Sequence, residues 1–110
     1  MSTRANIFIR NDYDDRDKEV IYHHCDGFPN HLGKILTNIL QQFSLEKGSA
    51  KVSKKELAQY ICDKDSDFRI TTPYEAGDAE YNYEIYLSER RAYWEEVYSG
   101  NEDWLCDFNP

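Results

Sequence analysis

The chain of 110 residues is long enough for one domain, taken as residues 1–110, with a single hydrophobic core. Its 40% hydrophobic and 31% charged residues, with only five Gly and three Pro, exclude a disordered chain. The balance of 21 acidic against 13 basic residues leaves a net charge of −8, which argues against direct binding to nucleic acid or an anionic membrane, because either needs a basic face.

The first element is Asn6–Arg10, Asn-Ile-Phe-Ile-Arg, a β-branched and aromatic run suited to a strand. Residues 11–17 hold four aspartates, Asp12, Asp14, Asp15 and Asp17, and read as a solvated loop. Val20–His24 supplies a second strand, so the first quarter is predicted to be a hairpin. Asp26, Gly27 and Pro29 end it.

Leu32, Ile35, Leu36, Ile39, Leu40 and Phe43 recur at helical period and predict an amphipathic helix with Asn30 as its N-cap. Gly48-Ser49 breaks that pattern. Ser53-Lys54-Lys55-Glu56 has the form of a capping box ahead of Leu57, Tyr60 and Ile61, so a shorter helix follows.

Phe68–Ile70 is a short candidate strand. From Tyr81 to Leu87, the residues Tyr81, Tyr83, Ile85 and Leu87 alternate with Glu80, Asn82, Glu84 and Tyr86, the period of a half-buried strand. A turn over Ser88–Arg91 leads into a returning strand, Ala92–Tyr98. Trp104, Leu105 and Phe108 in the tail are expected to dock. The resulting order, ββαα(β)ββ, predicts an α+β fold: an antiparallel sheet of four to five strands with both helices packed on one face. The other face would be polar and aromatic, open to water or a partner.

Cys25, Cys62 and Cys106 are odd in number and form no CxxC pair. No targeting or membrane-spanning run precedes the first strand, so a reduced, cytoplasmic setting without disulfides is expected.

All three histidines fall in or beside one turn, His23, His24 and His31. Adjacent strand residues point to opposite faces, so His23 and His24 are poorly placed to share a metal ion, and no HExxH or CxxC spacing supports one. Neither a metal nor a cofactor is expected. An oriented His24–Asp26 base is conceivable, with Tyr22 or His31 assisting. It defines the alternative reading, a small-molecule- or metal-dependent enzyme. No phosphate loop or nucleophile elbow names a reaction.

The acidic residues offer a different reading. Asp12, Asp14, Asp15 and Asp17 lack the Gly and distal Glu of a calcium loop. They could form a negative patch for a basic groove, extended by Glu75, Asp78, Glu80, Glu84, Glu95, Glu96, Glu102 and Asp103. Tyr86, Tyr93, Trp94 and Tyr98 supply aromatic anchors of the kind that recur in protein interfaces. The residues expected at a partner are therefore Asp12, Asp14, Asp15, Asp17, Glu80, Glu84, Tyr86, Trp94, Glu95 and Glu96.

Ser2-Thr3-Arg4-Ala5 followed by Tyr22-His23-His24-Cys25-Asp26-Gly27-Phe28-Pro29 resembles a group of small phage and mobile-element proteins. Those proteins share an STRA start, then a strand, then a Tyr-x-His-x-Asp-Gly-(Tyr/Phe)-Pro turn before a helix. The likeness covers the first third of the chain and carries His24 and Asp26 over only as motif positions. It implies an accessory or counter-defence role. The expectation is a non-enzymatic protein, anti-CRISPR-like, that inhibits a host defence or nucleic-acid-handling complex by binding a basic protein surface. A dimer paired through the open sheet is a third reading.

Overall fold

The computed structural model of the protein describes residues 3–73 and 76–110. Ser2 of the motif and Glu75 of the expected patch lie outside the described residues. Strands β1 (Ala5–Arg10) and β2 (Glu19–His23) form an antiparallel hairpin, with Ile7 opposite Ile21. The chain then passes through a short π-helical turn, Pro29–Gly33, into α1 (Lys34–Lys47) and α2 (Lys54–Lys64). Four strands follow: β3 (Phe68–Thr71), β4 (Tyr81–Tyr86), β5 (Arg91–Glu96) and β6 (Glu102–Asp107).

The α+β class and the order of elements match the expectation, and the sheet is larger and mixed. It has six strands in the order β3-β2-β1-β4-β5-β6. After the helices, β3 pairs with the free edge of β2. The chain then crosses to the opposite side of β1, so β4 lies parallel to β1, with Ile7 beside Tyr83 and Ile9 beside Ile85. The remaining four pairings are antiparallel. The sixth strand comes from the tail.

Both helices cover one face. Ile7, Ile9, Ile21, Tyr83 and Ile85 from the sheet share one core with Leu36, Leu40 and Phe43 of α1 and Leu57 and Ile61 of α2. Alternation leaves Asn6, Phe8 and Arg10 of β1 on the opposite, outer face. Among the described residues, no helix is long and apolar enough to cross a membrane.

The two helix starts differ in how they are built. Ser53 accepts a hydrogen bond from the Glu56 amide at 3.1 Å, as its capping box predicts. Asn30 is not the cap of the first helix. The helical path begins earlier, after Phe28 in an extended conformation, with Pro29 at the first position. Proline has no N–H to lose there and its fixed φ suits the first turn.

The tail docks by Phe108 and Leu105 rather than by Trp104. Phe108 is buried, and its amide donates to the Arg90 carbonyl at 2.8 Å. Arg90 is itself buried. It donates to Ser44 Oγ at 3.3 Å and to the Ala50 carbonyl at 3.1 Å, tying the β4–β5 turn to the end of α1.

Candidate protein-binding face

The His-rich corner is a packed joint. Gly27 lies so close to the start of β1 that a Cβ there would fall 2.8 Å from Ala5 Cβ and 3.0 Å from the Thr3 carbonyl oxygen. Its amide donates to the Thr3 carbonyl at 2.8 Å, and the buried Tyr83 hydroxyl donates to its carbonyl at 2.7 Å. Asp26 precedes it at φ 53°, a left-handed conformation that Asp tolerates better than most residues. Phe28 and His31 pack ring to ring at 6.2 Å. Each of Asp26, Gly27, Phe28 and Pro29 thus has a local role in turning β2 into α1.

The histidines separate as strand alternation requires. His23 points into the core against Phe68, with ring centroids 4.8 Å apart, and burial lowers its pKa below the ordinary 6.5. His24 is exposed, and its Nδ1 meets the Tyr22 hydroxyl at 2.7 Å. Tyr22 and His24 border a polar groove with Arg4 and Arg69, whereas Asp26 does not line it. The geometry therefore joins His24 to Tyr22, not to Asp26. Among the described residues, no three His, Cys, Asp or Glu side chains are grouped to hold a metal ion.

The acidic residues divide into those the fold uses and those it leaves open. Asp15 accepts from the amides of Asn11 at 2.9 Å and Asp17 at 3.0 Å, and pairs with Lys54 Nζ at 2.8 Å. These bonds, the Asn11 amide foremost, push its pKa down to about 2. Asp15 is a staple between the β1–β2 loop and α2, not a solvated patch residue as its sequence setting suggested. Asp12, Asp14 and Asp17 remain exposed.

Glu80 is also engaged. It accepts from the Arg4 amide at 2.7 Å, which lowers its pKa. Glu84 pairs with Arg10 at 3.1 Å. Glu96 and Trp94 fall on the helix-facing side of the sheet, where Glu96 accepts from Tyr81 at 3.0 Å and Trp94 packs edge-on against Tyr81. Asp78 lies away from this region, beside the His24 groove.

What remains open is a cleft of about 490 Å³ on the outer face of β4–β6. Residues directly opposite across a strand pair share a face. One rung therefore carries Glu84, Tyr93 and Trp104, and the next carries Asn82, Glu95 and Glu102. Tyr86 continues the aromatic surface, meeting Tyr93 edge-on at 5.9 Å, and burial raises its pKa. Tyr13, from between Asp12 and Asp14, stacks on Tyr86 at 6.0 Å. That contact brings the acidic loop to the rim of the cleft, which Glu89 and Asp103 complete.

Of the cleft residues, Tyr86, Tyr93, Glu84, Glu95, Glu102 and Asp103 are legible in the sequence pattern, whereas Tyr13 and the exposed role of Trp104 are not. The deciding feature is a bulge in β6. Ala92 pairs with Cys106 but Tyr93 pairs with Trp104, leaving Leu105 as the extra residue. The bulge sends Trp104 outward beside Tyr93. Leu105 packs toward Gly33, where a Cβ would sit 3.1 Å from Leu105 Cδ1. Set against protein-family models, curated proteins and solved structures, the chain matches none significantly.

Proposed function

We propose that the chain is a non-enzymatic protein-binding module that sets its outer face against a basic surface of a protein partner. The observation that carries this reading is the β4–β6 cleft, where Tyr86, Tyr93 and Trp104 stand among Glu89, Glu95, Glu102 and Asp103. Aromatic anchors give contact area in protein interfaces. Carboxylates around them repel nucleic acid and steer a basic protein. The partner class is a nucleic-acid-handling protein whose basic groove the acidic face would occupy. The resemblance of the first third to phage proteins makes a host defence complex, in the manner of an anti-CRISPR inhibitor acting in the host cytoplasm, the target to test first.

The test compares affinity capture by the wild-type chain with capture by a Glu95→Gln, Glu102→Gln, Trp104→Ala variant of unchanged melting temperature. Support requires a basic nucleic-acid-binding protein that the wild type captures, the variant does not, and duplex DNA displaces in competition. Capture that the variant retains in full would refute the face. A folded His24→Ala chain that loses biological activity while the face variant keeps it would put the enzyme reading first.

A further inference from the structure

The outer face treats its aromatic rings in two ways. On the β1–β3 half, the chain covers them with its own cations. Lys18 Nζ stands 4.1 Å from the Phe8 ring centre, and the Arg69 guanidinium 5.4 Å from that of Tyr22. On the β4–β6 half, no cation–π pair among the described residues involves Tyr86, Tyr93 or Trp104. Trp104 is 55% exposed, and its indole N–H donates to Asp107 at 3.1 Å, which orients the ring.

The carboxylates of the β4–β6 half are themselves of two kinds. Glu84 has Arg10 and Asp107 has Arg91, each at 3.1 Å. Glu95 and Glu102 face each other directly across β5 and β6, and among the described residues no ion pair includes either. Like charges directly opposite on a sheet are destabilising. Proteins break local rules of this kind mainly at functional or strained sites. The repulsive pair sits one rung from Tyr93 and Trp104, which Arg91 borders through the Tyr93 side chain and Asp107 without forming a cation–π pair with either ring.

We infer that the Tyr93–Trp104 and Glu95–Glu102 rungs together seat one arginine side chain of the partner, which rests on the protein-binding reading above. Adjacent rungs on one face are separated by two residues, about 6–7 Å, so one cation can touch both. A guanidinium is planar: its face can lie against an aromatic ring while its fork donates to two carboxylates. A lysine ammonium is a compact, strongly hydrated charge and satisfies the carboxylates without the stack. The partner's arginine would supply to this half of the sheet what Lys18 and Arg69 supply to the other.

Three decapeptides identical except for a central Arg, Lys or citrulline test this against the full chain by NMR titration, following the Trp104 indole N–H and the backbone amides of 93–96 and 102–104. The Arg peptide should shift these signals saturably and bind roughly fivefold or more tighter than the Lys peptide. The citrulline peptide should leave them unmoved. Glu95→Gln with Glu102→Gln, which should also raise the melting temperature slightly by relieving the like-charge pair, and separately Trp104→Ala in a chain that stays folded, should each weaken the Arg peptide roughly tenfold. Equal binding of Arg and Lys peptides would overturn the arginine seat and leave the basic-partner reading standing. Shifts confined to other regions, or no saturable binding by any peptide, would also overturn it. The DNA-competed capture experiment then decides the broader reading separately.

Discussion

Replacing Gly27 by alanine should destabilise the protein without touching the outer cleft. The new Cβ would meet Ala5 Cβ at 2.8 Å, the Thr3 carbonyl oxygen at 3.0 Å and the Arg4 carbonyl carbon at 3.1 Å. Favourable carbon contacts lie near 3.5–4.0 Å. Two of the three crowded atoms are backbone at the start of a central strand, so relief requires shifting β1 against the corner. Overpacking of this kind costs about 1–3 kcal/mol. Tyr83→Phe attacks the same joint from the other side. It removes the buried hydroxyl that donates to the Gly27 carbonyl at 2.7 Å, and leaving such a carbonyl unpaired costs about 1–3 kcal/mol. Against a total stability of about 5–15 kcal/mol, and at about 4 °C per kcal/mol for a domain of this size, each change should lower the melting temperature by about 4–12 °C. Thermal unfolding by circular dichroism at fixed pH measures this. Because both variants act on one joint, the double variant should fall short of the sum. A Gly27→Ala chain that melts normally but no longer binds its partner would refute the structural account of the Asp-Gly-Phe-Pro turn and make the turn itself functional.

Leu36→Ala or Leu40→Ala, at fully buried positions of α1, should each cost about 2–5 kcal/mol, seen as an earlier midpoint in urea unfolding with an unchanged slope. Asp15 titrates near 2 in the folded chain against its ordinary 3.8. Its stabilisation is therefore complete above about pH 3.8 and is lost as pH falls toward 2, so Asp15→Asn should flatten that part of the acid-unfolding curve. His23 is buried with its pKa below 6.5. Protonation then favours the unfolded chain: stability should be full above pH 6.5 and decline as pH falls from there toward the lowered value, and His23→Phe should abolish that step. Asn at Asp12, Asp14 and Asp17 should slow association with a basic partner, most at low salt, while leaving the melting temperature nearly unchanged.

Local pattern by itself determined most of the elements. The apolar spacing from Leu32 to Phe43 is a property of one turn of helix after another, and α1 lies where it points. Ser53 and Glu56 interact across three residues, so their cap was legible without any partner. The alternation of Tyr81–Leu87 placed Tyr83, Ile85 and Leu87 inward for the same reason. Strand order is another matter, because it depends on which edges meet after the helices have packed. Nothing near Tyr81 states that β4 runs parallel to β1, and the charged run Glu102–Asp107 becomes a strand only through β5. The functional face depends on that pairing more than on any motif. Trp94 and Trp104 look equivalent in the chain, yet Trp94 turns toward the helices and Trp104 toward solvent. The cause is the single extra residue, Leu105, in the β5–β6 ladder. Side chains in a strand alternate every residue, so a shift of one reverses which face each serves. Composition alone set the acidity of the chain. The fold decided which carboxylates, Asp15, Glu80 and Glu84 among them, are used up holding it together, and which, Glu95 and Glu102, still face outward.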